Sequence, residues 1–149
     1  EKEGFQSPNA VILGHSLRIG GAITCFGNIQ NYSDKTFASE HAKVLIQTPE
    51  KKMRYTVRFA NIVKGWEPTK RTAFAGESDF RSWYDSSRES AAMVLDTDSE
   101  PNQVISLVSC SYNFWKQNER TVVTTSIDQK QALTETVSTE SRQTGSDAE

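Results

Sequence analysis

Apolar and polar residues alternate one by one through "MRYTVRFANIV", residues 53–63: Met53, Tyr55, Val57 and Phe59 alternate with Arg54, Thr56, Arg58 and Ala60. A period of two sends successive side chains to opposite faces of a strand, and a helix cannot use it. The pattern predicts a strand that buries the first set and wets the second. Less regular stretches flank it. Residues 11–30 are apolar and β-branched with interspersed glycines, predicting one or two strands with an irregularity at Gly20-Gly21. "HAKVLIQT" (41–48), "AAMVLDT" (91–97), "VISLVSCSYNFW" (104–115) and "TVVTTSI" (121–127) are further strand candidates. Between them lie the turn clusters "NYSDKT" (31–36), "PEKK" (49–52), "DSEPNQ" (98–103) and "KQNER" (116–120).

Residues 64–90 break this rhythm. Trp66, Phe74, Phe80, Trp83 and Tyr84 stand there among Gly, Pro, Ser and charged residues. Phe80, Trp83 and Tyr84 have i, i+3, i+4 spacing, which predicts one helical turn after Glu77-Ser78-Asp79. About seven strands with almost no helix predict an all-β chain, a single antiparallel β-sandwich of immunoglobulin-like type. Its core is expected to include Met53, Tyr55, Val57, Phe59, Val104, Ile105, Leu107 and Val108. The domain is expected over 11–128, after a polar lead-in at 1–10. Residues 129–149 are polar and Ser/Thr-rich; such a composition cannot bury enough surface to order itself and predicts a tail.

A chain of 149 residues matches one ordinary domain. Its net charge of −2, with 17 scattered Lys and Arg, leaves no footprint for nucleic acid. No apolar run approaches the roughly 18 residues of a membrane span.

The search for chemistry starts at "VILGHSLRIGGAIT" (11–24), which looks like a nucleophile elbow around Ser16. Arg18 occupies the position where the elbow needs its second glycine, and the only later histidine, His41, follows too closely for a triad acid to intervene. That reading fails. His15 and His41 are the only imidazoles, and no His, Cys or Asp group has zinc spacing. Asp96, Asp98 and Glu100 alternate but lack the glycine and later glutamate of a calcium loop. With no catalytic constellation left, the chain is expected not to be an enzyme, and to use no cofactor or metal.

The two cysteines, Cys25 and Cys110, lie in an early and a late predicted strand. An immunoglobulin-type bridge between them would come with a core tryptophan about a dozen residues after the first, and none is there. They are expected to be free thiols behaving as small buried hydrophobes. Asn31-Tyr32-Ser33 is a glycosylation sequon.

Several stretches together resemble the N-terminal β-sandwich of the TRAPP complex subunit 13 family. Leu13-Gly14 opens a strand that runs to Asn31 and Ser33, Ile46-Gln47-Thr48 follows at the family's distance, and Leu107, Val108, Cys110, Ser111 and Tyr112 resemble its late strand. The resemblance implies a subunit of a membrane-trafficking tether. The expected function is thus a non-catalytic protein–protein interaction or structural module, cytoplasmic and with protein partners. Exposed Trp, Tyr and Arg are typical interface anchors, so Trp66, Phe80, Arg81, Trp83 and Tyr84 are the expected partner surface. The alternatives are a secreted or virion-associated structural β-sandwich and a protein resembling a pore-forming toxin.

Overall fold

The computed structural model describes residues 4–19, 22–49, 52–65, 71–97, 99–114 and 117–127. These form strands β1 (Asn9–Gly14), β2 (Arg18–Ile19), β3 (Ala22–Ile23), β4 (Lys43–Gln47), β5 (Lys52–Lys64), β6 (Met93–Val94), β7 (Val104–Ser111) and β8 (Glu119–Ile127). Helix α1 (Lys35–Glu40) precedes β4, and helix α2 (Glu77–Glu89) lies between β5 and β6. A 3₁₀ segment spans Cys25–Ser33. The Trp66 region and the expected 129–149 tail lie outside the described residues.

The main sheet has six strands, in the order β1-β7-β8-β5-β4 with β6 added beside β5. Strands β7, β8, β5 and β4 pair antiparallel. The exception is β1, which runs parallel to β7 from Asn9 opposite Val104 to Gly14 opposite Ser109. This mixed sheet corrects the expected antiparallel immunoglobulin-like sandwich. Most strand candidates lie close to where they were expected, but Cys25–Ser33 is a 3₁₀ segment where a strand and a turn were expected, and among the described residues the only other sheet is the two-stranded β2–β3 pair. The 3₁₀ segment and α1 cover one face instead, and α2 covers part of the other. An apolar strand face demands a cover without specifying what supplies it.

On the first face Ala10, Tyr55, Val57, Ala60, Ile105, Leu107 and Val123 pack against Ile29 and Tyr32 of the 3₁₀ segment. On the second face Phe59 and Val104 meet Phe80 and Tyr84 of α2, and further along Val63, Val108 and Val122 form a small cluster with Val11. The expected core residues are all buried except half-buried Met53. The strict alternation of β5 fails midway, because its register with β8 shifts between Val57 and Phe59. A bulge of one residue reverses the facing of everything after it. Phe59 therefore leaves the face of Val57 and meets α2, while Ala60, expected to be wet, is buried on the first face. Arg58, also expected to be wet, is buried; its Nε donates to Ser126 Oγ at 2.7 Å and its Nη1 pairs with Asp96.

Helix α2 extends the predicted single turn to 13 residues. It starts at Gly76, whose φ of 147° favours glycine. The Asp79 carboxylate reaches back to accept the Ala75 N–H at 2.8 Å and also takes a bond from Arg71. These two bonds hold the Asp79 carboxyl below its ordinary value. Helix α1 is capped by Asp34, whose carboxylate accepts the Phe37 N–H at 2.8 Å.

Candidate active site at the end of the parallel strands

Adjacent parallel strands deliver their C-terminal ends to the same edge of a sheet. Gly14 is the last residue of β1 and faces Ser109, so the residues one step further, His15 and Cys110, emerge there together. Cys110 is in turn the antiparallel partner of Arg120 on β8. A β7–β8 hairpin and one parallel neighbour thus set an imidazole, a thiol and a guanidinium in a row. Residues alternate faces along a strand, so Leu13 and Val11 share the face of His15, and Val108 shares that of Cys110. Leu13, Gly14, His15, Val108, Ser109, Cys110 and Arg120 line one open cavity of about 230 Å³. His15 is exposed, and Cys110 and Arg120 are half-buried.

Local packing holds each member. A β-carbon on Gly14 would collide with the ring of Phe26 at its Cγ and Cδ atoms, so glycine lets the 3₁₀ segment seat this closely against the end of β1. The chain after His15 is tied down by Thr24, whose Oγ1 donates to the His15 carbonyl at 2.8 Å and accepts the Leu17 N–H at 3.2 Å. Arg120 Nη1 donates to the Glu119 carbonyl at 2.8 Å. The Arg120 guanidinium also passes Gly65, where an added β-carbon would lie 3.6 Å from its Cζ and would collide with Asn118. Among the described residues no group of three or more His, Cys, Asp and Glu side chains is placed to hold a metal ion.

The residues expected to form a partner surface sit elsewhere. Phe80 and Tyr84 are 2% and 0% exposed, so the packing of α2 takes them off the surface. Burial also raises the Tyr84 hydroxyl above its ordinary value, with smaller opposing effects from Ser99, Arg88 and Arg58. Arg81 and Trp83 are half-buried, Trp83 lying against Phe74 and Phe80. Trp66 lies outside the described residues. The cysteines are corrected as well. Cys25, expected to be buried in a strand, is exposed at the start of the 3₁₀ segment, and Cys110 is a half-buried free thiol in the cavity rather than a core hydrophobe.

Sequence reasoning missed His15, Cys110 and Arg120 as a set. One part of it was within reach. A hairpin joining the two late strands brings Cys110 opposite an early residue of the second strand, and Arg120 is the cation there. The position of His15 depends on a parallel pairing between residues about 95 apart in the chain, which no local pattern carries.

The family described as "Sortase domain" matches residues 2–128. No curated protein sequence matches significantly. Among solved structures, sortase B from the type II pilus of Streptococcus pneumoniae superposes with a TM-score of 0.72 at 19% identity, over 85% of this chain and 71% of that one. Staphylococcus aureus sortase B gives a TM-score of 0.68 at 17% identity, over 82% of this chain and 57% of that one. Clostridium perfringens sortase B gives 0.68 at 20% identity, over 80% and 64%. The chain thus spans between about half and three quarters of the length of these structures. The shared fold is a curled half-barrel of mixed parallel and antiparallel strands. It displaces the resemblance to TRAPP complex subunit 13, whose shared residues amount to strand pattern plus a few letters.

Proposed function

Because the chain belongs to the sortase family, whose members are cysteine transpeptidases, we propose that it exchanges one peptide bond for another through a thioester on Cys110. That membership overturns the expected non-catalytic module, with its trafficking role, its structural and pore-forming alternatives and the absence of enzyme activity. Sortases act on protein substrates, which supports a protein partner for this chain in the form of a substrate. No helix among the described residues is long and apolar enough to cross a membrane. We place the reaction at a bacterial cell surface, where sortase B works, rather than in the cytoplasm.

The observation that carries this reading is the shared cavity of His15, Cys110 and Arg120. In the first step the Cys110 thiolate attacks the scissile carbonyl carbon; a C–S bond forms and the carbonyl oxygen becomes an oxyanion. The Arg120 guanidinium, opposite Cys110, supplies a fixed positive charge and two-pronged N–H donors for that oxygen. Collapse breaks the C–N bond, and the departing amine takes a proton from the His15 imidazolium. The acyl group is left on sulfur. An incoming amine then attacks the thioester, neutral His15 accepts its proton, a new amide forms and Cys110 departs as thiolate. Exposure of His15 suits it to meet both amines at the solvent side.

The polypeptide would lie along the second sheet face, over Val11, Leu13 and Val108, with Arg81 and Trp83 of α2 as its distant contacts. The test is incubation with a pool of randomised peptides and triglycine, the molecule seen with one sortase B. Triglycine-tagged products and a thioester on Cys110 by mass spectrometry are expected, and neither in Cys110→Ala. Equal product from both proteins would refute the reading.

A further inference from the structure

The chain leaves β7 one residue after Cys110 and re-enters the sheet one residue before Arg120; these two flanking residues, Ser111 and Glu119, are themselves partners. Glu119 is fully buried. Burying a carboxylate is costly unless its oxygens are hydrogen-bonded. Here Oε1 accepts from Ser111 Oγ and from the Asn113 N–H, both at 2.6 Å, and Oε2 accepts the Phe114 N–H at 2.7 Å. The Glu119 carbonyl accepts from Arg120 as well. One residue therefore ties the exit of the nucleophile strand, the turn beyond it and the guanidinium.

A turn this exposed does not need such a clamp to satisfy its backbone. Tyr112 and Phe114 are 62% and 73% exposed, so water could serve the neighbouring amides. The far side of the turn is also fixed: Asn118 adopts a φ of 60°, and its carbonyl accepts the Gly65 N–H at 2.8 Å. The rigidity is concentrated where the thiol and the guanidinium must keep one alignment.

We propose that Glu119 is a positioning residue for acyl transfer, holding Cys110 and Arg120 in register through Ser111 and the 112–114 turn. The proposal rests on the reading that Cys110 is acylated. A misplacement of about 1 Å at a reacting group costs about 100-fold in rate. Glu119→Gln keeps the volume but turns one oxygen into a donor facing a donor, Glu119→Asp withdraws the carboxylate by one methylene, and Ser111→Ala removes one arm.

Each variant is assayed with the randomised peptide pool and triglycine, per mole of folded protein, beside the rate at which a methanethiosulfonate reagent labels Cys110. Glu119→Gln is expected to lower kcat by about 30- to 100-fold and Ser111→Ala by about 3- to 10-fold, with KM within about two-fold. Labelling should stay at the wild-type rate, since a small reagent needs no alignment with Arg120. An unchanged kcat, or a loss confined to KM, overturns the proposal. Should Glu119→Gln fail to fold, Glu119→Asp and Ser111→Ala decide by the same criteria. Absence of a thioester in the wild type overturns the acylation reading and this proposal with it; a wild-type thioester with undiminished variants overturns this proposal alone.

Discussion

The second face of the sheet is finished differently at its two ends. Where α2 crosses, Phe59 and Val104 are sealed under Phe80 and Tyr84, with ring centroids 5.3 Å apart for Phe59 and Tyr84. Where β1 and β7 end, His15, Cys110 and Arg120 border an open cavity, and no helix among the described residues packs there as α2 does on Phe59 and Val104. Conspicuous aromatic residues gather at the closed end, and unobtrusive reactive ones at the open end. The closed end spends its large side chains on stability. The open end leaves polar side chains reachable, and rigid strands on three sides keep them aligned.

This contrast can be broken by experiment. The largest expected effect is loss of the thioester in Cys110→Ala with the melting temperature nearly unchanged. Arg120→Ala should lower acylation by about 100- to 1,000-fold, the usual cost of losing an oxyanion donor. Mass spectrometry of the acylated protein checks both. A variant of the open end that unfolds the protein while sparing the thioester would erase the distinction.

At the closed end, Phe80→Ala should destabilise by about 3–5 kcal/mol. Acylation per folded molecule should stay unchanged. Urea unfolding beside the thioester assay separates the two quantities. Trp83→Ala should raise KM for the peptide by a few fold with kcat kept, since only this half-buried ring is offered as a contact.

Gly14→Ala probes the backbone just before His15, where β1 meets Phe26. The added methyl meets Phe26 and should cost about 1–3 kcal/mol, as overpacking does, together with a fall in acylation. Pairing it with Phe26→Ala should recover the acylation rate. No recovery would mean that Gly14 serves His15 by some other route.

The smallest effect is at the start of α2. The folded carboxyl of Asp79 lies below its ordinary 3.8, first because of the Ala75 N–H and then because of Arg71. A lowered folded value means that the ionised form is the one the fold favours. Its contribution is therefore complete above the ordinary value and is lost as the pH falls through the lowered one. Asp79→Asn should melt below the wild type at neutral pH, and the two curves should converge as the pH falls through the lowered value of the folded carboxyl. A gap that persists in acid would point to the shape of the side chain rather than its charge.

The alternation in β5 was legible because a pleated strand has to put its apolar set on one side. The bulge after Val57 was not, since one inserted residue leaves no mark on composition. The spacing of Phe80, Trp83 and Tyr84 revealed a helix, and their size suggested a partner; the sheet turned out to be what Phe80 and Tyr84 meet. In the sequence the conspicuous partner for Cys110 is Cys25, because a disulfide is the pairing that two cysteines invite. Its true neighbours are a histidine just past the end of the first strand and an arginine from the last.

The sequence by itself determined which segments extend, where they turn and most of what they bury, because those choices are made between residues a few positions apart. Only the tertiary structure decided that β1 lies parallel to β7 and that helical segments, not a second sheet, cover the apolar faces. Strand pairing satisfies the same backbone hydrogen bonds with any partner. The choice among partners is settled by the packing of the whole chain, and that choice brought His15, Cys110 and Arg120 together.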